Sequence, residues 1–286
     1  MKKAIVLGCK GNLGSQLVKV FKKDHEVIGW DRENIDITDS QALKEKIRQE
    51  KPYAVINAVA YNAVDKCEES EEEYQKALKL NKDAVRNLAD ICNELDCVLV
   101  HYSTDYVFSG DENNQEFKED STPNPLNNYG KSKYLGEKEI LKTEGLKYYL
   151  IRTSKLFGPK GQSELVKPSF FDIMIKLSKE KDKLEVVNEE KSFFTYTVDL
   201  AKKTRELLEN DKKYGIYHIT NSDAVTWYEA ALEMFKILDN DIQIDAVSGD
   251  KFPRPAKRPL YSILINTKIE PLRSYSEALK EYLCEE

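Results

Sequence analysis

The 286-residue chain reads as an α/β protein with a doubly wound parallel sheet and a smaller C-terminal lobe. Two observations predict that class. Short apolar, β-branched runs alternate with helical patterns through the first half, which calls for right-handed crossovers and helices on both faces of a parallel sheet. A glycine-rich turn, GCKGNLG, then joins the first run to the first helical pattern. In sheets of this class ligands lie beyond the carboxyl ends of the strands, where the strand order reverses.

The elements follow in order. KAIVLG (3–8) is strand-like, and LGSQLVKVFKK (13–23) puts Leu13, Leu17, Val20 and Phe21 on one helical face. HEVIGWD (25–31) is a second strand, and DSQALKEKIRQE (39–50) a helix capped by Asp39 or Ser40. YAVINAVA (53–60) is a third strand, and one long helical stretch runs from about 70 to 95. CVLVHYS (97–103) and KYYLIRTS (147–154) are the fourth and fifth strands. After about residue 155 the rhythm loosens, which divides the chain into a dinucleotide-binding domain (1–154) and a mainly substrate-binding lobe (155–286) that crosses back to the core. PKGQSELVKPSF (159–170) is a lid candidate, and KFPRPAKRPLYS (251–262) is dense in proline. Trp227 and Tyr228 read as packing in that lobe.

Composition narrows the function. A net charge of −6 leaves no basic footprint for nucleic acid. The apolar runs are too short to cross a bilayer, and the N-terminal one fits a buried strand better than a signal peptide. Cys9, Cys67, Cys92, Cys97 and Cys284 show no paired spacing, so they read as scattered thiols of a cytoplasmic protein. No ligand spacing calls for a metal. A homodimer is compatible with the sequence, which does not require one.

Gly8, Gly11 and Gly14 sit between a strand and a helix, the context a dinucleotide site demands. The first glycine permits a tight turn, the second lets backbone approach a pyrophosphate, and the third lets helix and sheet pack closely. The helix N-terminus adds free N–H groups and partial positive charge. Asp31 ends the second strand, where an acid binds the adenosine ribose and favours NAD; the alternative is a strand-end cap. Arg32 beside it suits the 2′-phosphate of NADP, so NADH and NADPH stand level.

Thr104 and Asp105 end the fourth strand, on the ligand face. In NNYGKSKYLGEKEI (127–140), Tyr129 and Lys133 lie one turn apart on one helical face. Such spacing also decorates solvated helices. A free tyrosine titrates near 10, and a nearby ammonium is expected to lower that value. Thr104 would complete a site where a carbonyl oxygen is held while hydride reaches its carbon. His101 reads as a strand residue, not a base.

These residues, with NAVAYNAVDKCE, STDYVF, PLNNYGKSKYLGE, TYTVDLA, GIYHITNS and RPLYSIL, occur in order across nearly the whole chain. The set closely resembles the dTDP-4-dehydrorhamnose reductases, a branch of the extended short-chain dehydrogenase/reductases. The resemblance implies NAD(P)H-dependent reduction of the C4 ketone of a nucleotide-linked 4-keto-6-deoxy sugar, the last step to dTDP-L-rhamnose. It implies Tyr129 as proton donor, Lys133 on the ribose and tuning the phenol, and Thr104 in the hydroxyl role. It matches Gly8, Gly11, Asn12, Leu13, Gly14, Asp31, Arg32, Asp36, Ile37, Ala58, Ala60, Tyr61 and Asn62 to cofactor contacts. Asp105, Tyr106, Lys155 and Arg258 fall on the substrate side.

Two departures stand out. RTSKLFG has Lys155 where the family usually has a tryptophan that stacks on the sugar, and Phe194 replaces a common proline. Lys155 opens a second enzyme reading, a reductase or epimerase for another nucleotide deoxysugar. Arg258 reads as a diphosphate clamp or as surface charge, and Arg254 and Lys257 as solvated. A third reading is a regulatory subunit of the same fold, like the β-subunit of methionine adenosyltransferase.

Overall fold

The computed structural model describes residues 1–111, 113, 115–164, 166–210 and 212–285; Leu165, within the lid candidate, lies outside them. The strands of the first half are β1 (Lys3–Leu7), β2 (Glu26–Trp30), β3 (Ala54–Asn57), β4 (Val98–Thr104), the short β5 (Glu116–Phe117) and β6 (Tyr148–Thr153). The second half adds β7 (Leu156–Phe157), β8 (Lys183–Val187), β9 (Thr195–Tyr196), β10 (Gly215–His218), β11 (Gln243–Val247) and β12 (Ile263–Leu264). The helices are α1 (Asn12–Phe21), α2 (Ser40–Glu50), α3 (Lys66–Glu69), α4 (Glu71–Leu78), α5 (Ala84–Glu94) and α6 (Asn128–Lys142). They continue with α7 (Phe170–Ser178), α8 (Thr197–Glu209), α9 (Trp227–Ile237) and α10 (Tyr275–Glu285).

Strands β2, β1, β3, β4, β6 and β10 lie side by side in that order, all parallel. The chain leaves β1 outward to β2, then returns past β1 to β3, so the order reverses at the β1–β3 seam and a cleft opens there. Helices α1 and α8 cover one face, burying Leu13, Leu17, Phe21, Leu200 and Leu208. Helices α2, α5 and α6 cover the other, burying Leu43, Ile47, Leu88 and Ile140. A separate aromatic-rich core, with Phe171, Phe194, Phe235 and Tyr282, holds α7, α9 and α10 against the β8–β11 pair.

Each of the five expected strands is present, with shifted ends. The third stops at Asn57 instead of residue 60, because the Asn57 side chain accepts the Val59 N–H at 3.0 Å and turns the chain off the sheet. The long helix near 70–95 is interrupted by a π-helical turn over Lys79–Asp83. That bulge puts the fully buried Asn81 inward, where it bonds both backbone groups of Tyr61 and the Ser132 hydroxyl, each at 2.9 Å. A helix interruption that serves a neighbouring loop is a common use of such turns. The sixth strand, β10, comes from the second half of the sequence.

Behind the carboxyl end of β4 lies a buried ion pair. Arg152 and Glu137 meet at 2.7 Å, and Ser103 donates to the same carboxylate at 2.5 Å, which ties β4, β6 and α6 together. Among the described residues no helix is long and apolar enough to cross a membrane, and no three His, Cys, Asp or Glu side chains gather as metal ligands.

Candidate active site

The glycine turn is shaped by close approach. Gly8 has φ +74°, and a Cβ on Gly14 would sit 1.9 Å from the Gly8 carbonyl oxygen. No side chain caps α1, whose N-cap is Gly11, so its first N–H groups face the cleft free. The cleft has a volume of about 940 Å³. Its walls bring together Gly8, Gly11, Asn12, Leu13, Gly14, Asp31, Arg32, Asp36, Ile37, Ala58, Ala60, Tyr61 and Asn62 with Thr104, Tyr129, Lys133 and Lys155. A diphosphate suits the uncapped α1 N-terminus, which the bare Gly14 lets pack directly on the turn.

Asp31 lies on the cleft wall but also works locally, taking the Lys10 N–H at 3.0 Å and the Arg32 N–H at 2.9 Å. It fixes the glycine turn to the end of β2. Asp36 is held below its usual range by the Thr38 N–H and hydroxyl. The Tyr61 hydroxyl is taken up by Glu73, and burial pushes its pKa to about 12. The lid candidate lies across the turn: Gln162 and Ser163 donate to the Lys10 carbonyl, and Gly161 to the Asn12 side chain.

Asn127 caps α6 by accepting the Gly130 N–H at 2.8 Å, which starts the helix at Asn128 and sets Tyr129 at the cleft. The Thr104 hydroxyl donates its one hydrogen to Asp105 at 3.0 Å. Its oxygen accepts the Tyr106 N–H at 3.2 Å and is hydrogen-bonded to Tyr129. With its hydrogen committed, Thr104 takes the phenol hydrogen, and a donor chain runs Tyr129 to Thr104 to Asp105.

The expected lowering of the Tyr129 pKa is not what the structure has. Burial and then the Asp105 charge raise it. The Lys133 amine points elsewhere: it donates to the Tyr102 carbonyl at 2.6 Å and lies 3.2 Å from His101 Nε2. Burial brings Lys133 down to about 8, with Glu137 opposing. His101 is buried too, and is held well below its usual value by burial and by Lys133. As expected, it is a strand residue, with its other nitrogen 3.1 Å from Asn57 Nδ2.

Three substrate-side residues stand behind the cleft wall instead of on it. Asp105 is 3% exposed, and its carboxylate takes the hydroxyls of Thr104, Ser154 at 2.9 Å and Ser262 at 2.6 Å. A carboxylate so buried and so supplied with donors supports Thr104 from behind the cleft wall. Tyr106 packs edge-on against Tyr129 at 6.0 Å. Arg258 pairs with Asp65 at 2.7 Å, with Asn127 holding the adjacent Lys257 carbonyl at 2.8 Å. The segment around Arg258 is thus pinned to the first half, and the arginine has a partner already. Arg254, expected in solvent, pairs with the buried Glu190.

Lys155 does reach the cleft. Its backbone is left-handed at φ +38°, and its amine sits 4.1 Å over the Trp227 ring and 5.0 Å from Phe194. It donates to the Glu190 carbonyl at 3.2 Å, and burial lowers it to about 8. Trp227 is therefore more than lobe packing: it carries the lysine. Asn57, Ser154, Ser262 and Glu190 were not singled out from sequence. Ser154 and Ser262 do lie inside RTS and RPLYS, next to the residues that were.

The switch-point cleft, the open glycine turn and the Tyr129–Lys133 pair define an extended short-chain dehydrogenase/reductase. A family profile described as RmlD substrate binding domain matches residues 1–286. The chain belongs to this family, the dTDP-4-dehydrorhamnose reductases. The Streptomyces griseus dTDP-4-dehydrorhamnose reductase is 33% identical over 97% of this chain and 91% of its own. A Bacillus subtilis spore coat polysaccharide biosynthesis protein, SpsK, is 33% identical over 100% and 98%. A dTDP-4-dehydrorhamnose reductase of Bacillus anthracis, solved in complex with NADP, superposes with a TM-score of 0.92 at 31% identity over the full length of both chains. A Thermus thermophilus UDP-glucose 4-epimerase, at 18% identity and a TM-score of 0.80 over 99% and 98% of the two chains, shares the fold.

Proposed function

We propose that the protein reduces the C4 ketone of a nucleotide-linked 4-keto-6-deoxy sugar, with dTDP-4-dehydro-L-rhamnose as the leading substrate and dTDP-L-rhamnose as product. NADPH or NADH would supply the hydride when bound. The glycine turn and the α1 N-terminus would hold its diphosphate, and Asp31 and Arg32 border the adenosine end. Tyr129 is the proton donor. Reduction needs the phenol protonated before hydride arrives, and burial together with Asp105 keeps it so at neutral pH. Thr104, anchored by Asp105, fixes where the phenol points. The substrate lobe is 155–286, the protein is cytoplasmic, and a homodimer is compatible with this reading.

The observation that carries the proposal is the Tyr129–Thr104–Asp105 donor chain at the cleft floor, in a chain with full-length reductase relatives. The test is oxidation of NADPH and NADH by the purified protein with dTDP-4-keto-6-deoxy sugars, followed at the nicotinamide absorbance band. Cofactor binding with no oxidation by any keto sugar would favour the regulatory reading. Lys155 over Trp227 favours a second reading, a reductase for a sugar that offers the amine a hydrogen-bond acceptor. Turnover of such a sugar in preference to the rhamnose precursor would select it.

A further inference from the structure

Three buried side chains at the Tyr129 end of the cleft form a row whose donors and acceptors must add up. Asn57 and His101 are register partners on β3 and β4, and Lys133 reaches them from α6. All three are at most 1% exposed, so water cannot repair a mismatch. Val59 N–H can only donate, which makes the Asn57 atom bonded to it the carbonyl oxygen. The other Asn57 atom, the NH2, therefore faces His101 Nδ1 at 3.1 Å. A donor there requires Nδ1 to be an acceptor, so in a neutral imidazole the hydrogen sits on Nε2.

That hydrogen points at the Lys133 amine, 3.2 Å away. An ammonium has donors only and would meet it head-on. A neutral amine has one lone pair to accept from Nε2–H and still has hydrogens to donate to the Tyr102 carbonyl at 2.6 Å. We propose that Asn57 and His101 hold Lys133 as a neutral amine in the cofactor-free protein, and that His101 is a positioning residue whose tautomer follows the charge on Lys133. The inference rests on the reductase reading for its catalytic meaning, but not for its geometry.

Charging Lys133 takes one proton from solvent onto Nζ and moves the imidazole hydrogen from Nε2 to Nδ1. The new Nδ1–H would face the Asn57 NH2, so the amide must turn over and release the Val59 N–H. Val59 lines the cleft and packs beside Gly8, whose Cβ position lies 3.0 Å from Val59 Cγ2. The charge on Lys133 is thereby linked to the cofactor wall. The other charged group acting on the amine is Glu137 on its own helix, paired with Arg152 of β6; Tyr129 lies one turn back. Burial lowers both Lys133 and His101, which favours two neutral groups side by side once the pH exceeds about 8.

The chain has three histidines, so the ring nitrogens of His101 can be read in 15N spectra and assigned with His101→Gln. The expected result is the Nε2–H tautomer above about pH 8, passing to Nδ1–H below it without an imidazolium. An Nδ1–H tautomer above that pH, or one tautomer throughout, overturns the proposal even if the protein is an active reductase. Failure to turn over any keto sugar leaves this readout untouched. In an active enzyme, Asn57→Asp accepts from both Val59 N–H and Nδ1–H, and so favours the ammonium. It should move the pH limb set by Lys133 upward by about one unit, roughly tenfold in rate at a pH on that limb. A loss of rate with no shift of the limb counts against the proposal.

Discussion

The nucleotide wall of the cleft is made mostly of backbone, whereas the sugar wall is made of side chains drawn from distant segments. Gly8, Gly11 and Gly14 act through what they lack, within seven consecutive residues. At the other end, Thr104, Ser154 and Ser262 converge on one carboxylate, and Lys155, Glu190 and Trp227 on one another. A backbone site is spelled locally and tolerates almost no substitution. A side-chain site depends on tertiary placement, and its chemistry can change one residue at a time.

Tyr129→Phe tests the point where the walls meet. It should cut turnover by about a thousandfold while cofactor affinity stays the same, checked by steady-state rates and by quenching of protein fluorescence on NADPH titration. Retained turnover would break the assignment. On the nucleotide wall, Gly14→Ala puts a methyl 1.9 Å from the Gly8 oxygen, so α1 must move. It should weaken cofactor binding by at least tenfold and lower Tm, while Ala at Gly215, which has open space around it, costs no cofactor affinity. A cradle indifferent to Gly14→Ala would erase the contrast between the walls.

On the sugar wall, Lys155→Trp should alter preference without destroying catalysis. A change of about tenfold in relative kcat/KM between two keto sugars is the scale expected for one pocket contact. An unchanged ratio would remove Lys155 from recognition. A separate effect concerns stability. Burial, and then the Arg152 charge, hold His218 down to about 4, with Glu119 opposing. Its unfolded value is about 6.5, so the unfolded chain binds more protons between the two and stability falls as pH drops from 6.5 to 4. Over that window the loss is roughly 3 kcal/mol from this residue, visible as a falling urea midpoint that His218→Gln flattens.

The same contrast explains what could be read from the chain. The parallel sheet, the glycine turn and the start of α6 follow from local patterns: alternating periodicity, a glycine spacing, an Asn127 cap. The strand ends did not, because Asn57 leaves the sheet through a bond to its own neighbour. The π-helical turn at Lys79–Asp83 is invisible to periodicity, being set by Asn81 reaching for Tyr61 and Ser132. Lys133 was expected to tune the phenol from its place one turn away and from the family resemblance. Its amine instead meets Tyr102 and His101, a choice made by burial and by the neighbouring strand. Arg258 looked free to clamp phosphate until Asp65, far away in sequence, appeared beside it.

The stitching of Ser262 to Asp105 and of Arg258 to Asp65 spans 157 and 193 positions of the chain. During synthesis the glycine cradle can assemble early from its local strand and helix, but the hydroxyl that orients the phenol gains its full support only after residue 262 has left the ribosome. A nascent or truncated chain would thus acquire affinity for a nucleotide well before it acquires chemistry.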